Sequence, residues 1–91
     1  MPHYKFTPEA KVDLQQISAE SDRSFGKSQR LKYIRGLREK VRKLAERPAT
    51  GRKRNYLIEG LFSAPYVSHI IFYVRHNDGI AVIRILHKRM D

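Results

Sequence analysis

Cysteine is absent from the 91-residue sequence, and with it go disulfides, thiol nucleophiles and thiolate metal sites. Acidic residues are scarce: nine Asp and Glu stand against 19 Lys and Arg, a formal net charge of +10. Long hydrophobic runs are missing too. The longest, Ile70 to Val74, has five residues, far short of the ~20 needed to span a bilayer as a helix. No secretion-type signal opens the chain, because Met1-Pro2-His3-Tyr4 leads directly into alternating residues. Glycine forms no phosphate-cradling loop, and Gly51 and Gly60 stand alone as turn residues. These absences leave a soluble, intracellular basic protein, and the length allows one domain, residues 1–91. Apolar residues at 41% and aromatics at 10% are too many for a disordered basic tail. A folded module with one modest core is expected.

The positive charge is concentrated. Arg30, Lys32, Arg35, Arg38, Lys40, Arg42, Lys43, Arg47, Arg52, Lys53 and Arg54 are opposed in their window only by Glu39 and Glu46. Such a lopsided field speeds encounter with a polyanion or an acidic protein. Its helical part reads equally as a solvated face. The Arg52-Lys53-Arg54 cluster lies beyond the helix and reads as a contact site.

Periodicity changes along the chain. Tyr4 and Phe6 alternate with polar neighbours as a short strand. Thr7-Pro8 is a helix start, with Thr7 as N-cap and Pro8 in the first turn, and Glu9 and Asp13 favour that N-terminus electrostatically. Ala10, Leu14 and Ile17 give a first helix the buried stripe it needs, over about Pro8 to Asp22. Phe25-Gly26 interrupts. A second helix, about Lys27 to Arg47, carries Leu31, Ile34, Leu37, Val41, Leu44 and Ala45 at steps of three or four, apart from the adjacent last pair, and Pro48 ends it. Gly36 inside it implies close approach to the first helix. The short break makes the pair an antiparallel helical hairpin.

Ala49 to Tyr56 reads as polar, basic and turn-like. Leu61 to Ala64 is a short strand ended by Pro65; Ser68 to Arg75 and Ile80 to His87 are clearer strands, joined by an Asn77-Asp78-Gly79 turn. The order β-α-α-β-β-β is an α+β layout, with about three to four antiparallel strands packed against the N-terminal helical hairpin. Strict two-residue alternation puts Ile70, Phe72, Val74, Ala81, Ile83 and Ile85 against the helices. It leaves Ile71, Tyr73, Arg75, Val82, Arg84 and Leu86 on an open face, greasy and cationic, that a partner protein should cover. Loops or a second copy would serve the same purpose.

Four histidines lack metal-site spacing, so no metal and no cofactor is expected, and no serine sits in a nucleophile-elbow context. His87 beside Lys88 and Arg89 suits metal-independent phosphodiester cleavage, with arginine on the phosphorane charge and histidine moving a proton. It suits equally a histidine that anchors the strand end ahead of a basic tail.

Gly60-Leu61, His69-Ile70-Ile71-Phe72-Tyr73, Asp78-Gly79-Ile80 and Arg84-Ile85-Leu86-His87-Lys88-Arg89-Met90-Asp91 closely resemble the ParE branch of the RelE/ParE toxin superfamily. So do Ala10-x-x-Asp13-Leu14-x-x-Ile17, Gly26 and Pro48-x-x-Gly51-Arg52. The resemblance implies the toxin of a bacterial type II toxin–antitoxin pair, acting in the cytoplasm and held in a hetero-oligomer with a cognate antitoxin, ParD-like or similar, whose acidic C-terminal segment neutralises it. It implies inhibition of DNA gyrase rather than enzymatic activity, with DNA reached only through gyrase or the antitoxin. The alternative is a RelE-like ribosome-dependent mRNA endoribonuclease using His87 and Arg89. The tyrosine-bearing extension of such enzymes is missing after Asp91, and Phe62 stands where many relatives carry arginine. Target contact is expected from Arg52, Lys53, Arg54, His87, Lys88 and Arg89. Antitoxin contact is expected from Leu14, Tyr33 and Leu37 on the helices and Tyr73, Arg75 and Arg84 on the sheet.

Overall fold

The computed structural model describes residues 2–90, excluding the side chain of Met90; Asp91, which closes the His-Lys-Arg-Met-Asp ending, lies outside the described residues. In chain order the elements are β1 (Tyr4–Phe6), α1 (Pro8–Glu46), a 3-10 turn (Pro48–Thr50), β2 (Arg52–Lys53), β3 (Leu61–Tyr66), β4 (His69–His76), β5 (Gly79–His87) and a closing 3-10 turn (Lys88–Met90). The architecture is α+β, as expected.

The helical layer differs from the expected pair of helices joined by a loop. It is one 39-residue element, broken only at Gly26, whose φ of 87° and ψ of 173° are non-helical. A straight helix of that length would run to about 58 Å, whereas the longest dimension of the molecule is 36 Å. The element therefore bends sharply at Gly26, a backbone conformation that only glycine adopts without strain. Arg30 Nε lies 3.3 Å from Asp22 Oδ1 across the bend. Thr7 caps the start as expected, accepting a hydrogen bond from Ala10 N–H at 3.1 Å. Both arms feed one core: Ala10, Leu14 and Ile17 from the first, Leu37, Val41, Leu44 and Ala45 from the second. Gly36 is indeed a point of close approach, but to β3 rather than to the first arm. A methyl there would meet the Tyr66 hydroxyl, which donates to Tyr33 O at 3.1 Å.

The sheet has five strands in the order β1-β5-β4-β3-β2. It is mixed, because β1 runs parallel to β5, with Tyr4 opposite Ile80 and Phe6 opposite Val82. Arg52 and Lys53, read as turn-like, pair antiparallel with Ser63 and Phe62. β3 continues through Pro65 to Tyr66. Leu61 directs its N–H and C=O outward, toward Ile58 O and Arg54 N. Two-residue alternation puts the nitrogen of Pro65 on that same outer side, so no bond to β4 is lost.

The face assignment is inverted on β4. Ile71 and Tyr73 are fully buried in the helix-facing core, and Phe72 lies on the other face. On β5 the two-residue rhythm itself fails. Phe72 pairs with Arg84 but Tyr73 pairs with Val82, leaving Ile83 as a bulge. Val82 and Ile85, three residues apart, therefore both enter the core, because an extra residue restores the phase. The second face is not bare: Leu61, Ser63, Phe72 and Ala81 are buried on it.

Candidate functional site

Five of the twelve distinct side chains named for contact from the sequence are spoken for by the fold. Leu37 and Tyr73 have no exposed surface and Leu14 retains 9%. Tyr73 stacks on Phe62 with centroids 5.4 Å apart, and its hydroxyl donates to Pro48 O at 2.7 Å. Arg84 is half exposed but pinned: its Nε and a terminal nitrogen donate to Asp13 at 2.7 and 3.0 Å. Arg54 donates from Nε to Ser63 Oγ at 2.8 Å and from a terminal nitrogen to Tyr56 Oη at 2.7 Å. Arg52, Lys53, Arg75, Lys88 and Arg89 face solvent, while Tyr33 and His87 are half-buried.

The expected target residues do not form one patch. Arg52 is opposite Ser63, Ser63 opposite Phe72 and Phe72 opposite Arg84, so His87 lies three strands away and three residues further along β5. At the usual strand spacing and rise, the two basic groups stand about 17 Å apart.

His87 belongs to a different constellation, which the sequence reading missed because its members are far apart in the chain. Its ring is 5.3 Å from that of His69, and its Nδ1 accepts from Arg89 N–H at 3.2 Å. Tyr33 Oη accepts from Ser68 N–H at 3.2 Å and donates to His69 Nδ1 at 2.8 Å, an assignment that puts the His69 proton on Nε2. Tyr33, Ser68, His69 and His87, with Glu20, line a cleft of about 430 Å³ at the bend of α1, with exposed Phe25 and Val67 at its lips.

Burial, and after it the neighbouring His87, pulls the His69 pKa below the ordinary imidazole range; Glu20 opposes the shift. The folded state therefore favours neutral His69, and the unfolded chain takes up the proton first on acidification. That contribution to stability is complete above about pH 6.5 and is lost as pH falls from there through the depressed folded value. His69→Gln is expected to flatten the fall in melting temperature between about pH 7 and pH 5. An unchanged slope in thermal melts would assign it to other groups.

A second concave surface runs between β1 and the second arm of α1. This groove of about 410 Å³ is lined by Tyr4, Leu31, Ile34, Arg35, Arg38, Glu39 and Arg42. Arg42 is already neutralised, bonded to Glu39 and Glu46. Arg38 lies over the Phe6 ring at 5.7 Å and keeps its charge on the groove wall. Leu31, at 46% exposure, is the apolar side chain left uncovered on this arm.

Tyr56, Leu57 and Ile58, not expected as contact residues, are exposed by 72, 54 and 57% on the loop between β2 and β3. Three consecutive large apolar residues just after a basic triplet and just before Glu59-Gly60 were the available signal.

A helix-on-sheet domain with a cationic, partly apolar surface is the class defined so far. Its sequence matches the family model described as ParE toxin of type II toxin-antitoxin system, parDE, over residues 4–91. It is 32% identical over 91 residues to Toxin ParE1 of Caulobacter vibrioides, covering 100% of this chain and 94% of that one. It is also 32% identical over 92 residues to Toxin ParE of Escherichia coli, covering 100% and 89%. The fold superposes on a solved chain titled "Chromosomal ParDE TA system from P. aeruginosa" with a TM-score of 0.80 at 21% identity, covering 96% of each chain. The chain belongs to the ParE toxin family of type II toxin–antitoxin systems, and that family implies an antitoxin partner. Among the described residues, no helix is long and apolar enough to cross a membrane.

Proposed function

We propose that the chain is a cytoplasmic bacterial toxin that inhibits DNA gyrase by binding it, without catalysing a reaction, and that a cognate antitoxin neutralises it. The observation that carries this reading is the family match across residues 4–91. The surface chemistry supports it. Cations and apolar side chains stand together in the groove of Leu31, Arg35 and Arg38, and again around Arg52, Lys53 and Tyr56–Ile58. The acidic C-terminal segment of the antitoxin occupies the groove beside β1, with apolar residues against Tyr4, Leu31 and Ile34 and carboxylates on Arg35 and Arg38. A segment that folds on binding suits so shallow a surface, since an extended chain wraps what a globular partner cannot reach.

The deciding experiment is gyrase supercoiling in the presence of purified toxin. Inhibition with accumulation of cleaved DNA is expected, relieved by antitoxin, while mRNA on programmed ribosomes stays intact. The one feature favouring a ribosome-dependent nuclease is the Tyr33–His69–His87 cluster, whose imidazoles stand 5.3 Å apart in an open cleft. Cleavage of ribosome-bound mRNA without any effect on gyrase would reverse the ranking and give His87, with Arg89, the catalytic part.

A further inference from the structure

The Tyr56–Ile58 tip presents its apolar side chains from a hydrogen-bonded frame. Arg54 N–H donates to Leu61 O at 2.8 Å, Leu57 and Ile58 N–H share Arg54 O at 2.9 and 3.3 Å, and Leu61 N–H returns to Ile58 O at 3.0 Å. Asn55 Oδ1 accepts from Gly60 N–H at 3.0 Å. Arg54 braces the frame from inside, bonding Ser63 beneath and the Tyr56 hydroxyl above. Arg54 is thus a strut that sets the tip, and the solvent-facing charges around it are Arg52 and Lys53, with Arg75 and the single carboxylate Glu59 on a shallow hollow nearby.

Holding Tyr56, Leu57 and Ile58 more than half exposed to water is costly, and a pre-formed loop saves a complex much of the ordering entropy. Aromatic and aliphatic anchors inside a charged rim are the composition of a protein-binding hot spot. Leu57 and Ile58 offer a nucleic acid no polar group. Apposing two copies through this same patch would put the cations Arg52 and Lys53 of both copies into one interface. The complement is a protein surface with an apolar pocket bordered by carboxylates. The tip adjoins β2, at the opposite edge of the five-stranded sheet from the β1 groove, about 19 Å away at normal strand spacing.

We propose that Tyr56, Leu57 and Ile58 are the apolar anchor by which this toxin grips its target protein, on a surface separate from the one the antitoxin covers; this rests on the toxin reading above. The test compares full-length wild type with a Tyr56→Ser, Leu57→Ser, Ile58→Ser variant in growth arrest on induction, gyrase inhibition, antitoxin titration and molecular mass in solution. The expected result is an unchanged fold, mass and antitoxin affinity, loss of growth arrest, and at least about a tenfold loss of inhibitory potency. Leu57→Glu alone, at an exposed position, keeps the test open if the triple variant fails to fold. Undiminished arrest by the folded variant overturns the proposal. So does a loss of antitoxin affinity, or a wild-type dimer that the variant dissolves. If wild-type toxin arrests growth but leaves gyrase untouched, gyrase is the wrong target, and growth arrest still tests the anchor. A wild type that arrests nothing overturns both.

Discussion

Replacing Asp13 by alanine is expected to cost about 2–4 kcal/mol and to lower the melting temperature by roughly 10–25 °C for a domain of this size. Asp13 is 7% exposed and accepts three hydrogen bonds: two from Arg84 at 2.7 and 3.0 Å and one from Ile85 N–H at 2.9 Å. β1 pairs with β5 only through Ile80, Ala81 and Val82, so that edge of β5 loses its strand partner beyond Val82. The first arm of α1 takes over: the Thr7 hydroxyl donates to Ile83 O at 2.9 Å and Asp13 serves Ile85. Alanine strands a buried backbone donor and leaves the half-exposed Arg84 guanidinium to water. Arg84→Met is expected to cost a comparable amount, about 2–4 kcal/mol, because it leaves a nearly buried carboxylate without its charge partner. Denaturant unfolding of both variants checks the magnitudes. A loss under about 1 kcal/mol for Asp13→Ala would mean that something else holds this edge.

Local pattern made the elements legible, and long-range pairing undid the faces. Thr7-Pro8, Pro48 and Asn77-Asp78 act through their own backbone chemistry, so their positions could be read directly. The bulge at Ile83 could not, since Gly79 to His87 has no internal glycine or proline to mark an extra residue. One inserted residue moves every later side chain across the sheet, which is how Val82 and Ile85 come to share the core. The parallel pairing of β1 was hidden for a related reason: a three-residue strand exists only because β5 offers an edge. β2 is shorter still, two charged residues held by Ser63 and Phe62.

Reading the site from the sequence fared differently for cations and for apolar residues. Charge declares itself whatever the fold, and Arg52, Lys53, Arg75, Lys88 and Arg89 do face solvent. Arg54 shows the limit, because its role depends on Ser63, nine residues away. A joint Arg52, Lys53 and Arg54 replacement would disturb the loop as well as the charge, and only the first two give a clean test. The Tyr33–His69–His87 cluster joins α1, β4 and β5, and no spacing within any one of them announces it. Asp13 looked like a charge placed for the helix dipole, and its real partner is 71 residues away.

Leu37→Ala and Leu31→Ala, two truncations on one helical arm, are expected to separate core from contact. Leu37 has no exposed surface and packs with Val41 and Ile71 among others in the core. Its truncation removes buried methyl groups and leaves a cavity, which costs about 2–5 kcal/mol. That is a large share of the total stability of a small domain. Antitoxin affinity should survive in whatever fraction stays folded, since Leu37 presents nothing to a partner. Leu31, six residues earlier and 46% exposed on the groove wall, should cost under about 1 kcal/mol in stability. It should nonetheless weaken antitoxin binding by about tenfold, as losing an apolar anchor beside paired charges does. Thermal melts and antitoxin titration on the two variants provide the check. If Leu37→Ala stayed fully folded while losing affinity, or Leu31→Ala left affinity untouched, the groove beside β1 would not be where the antitoxin lies.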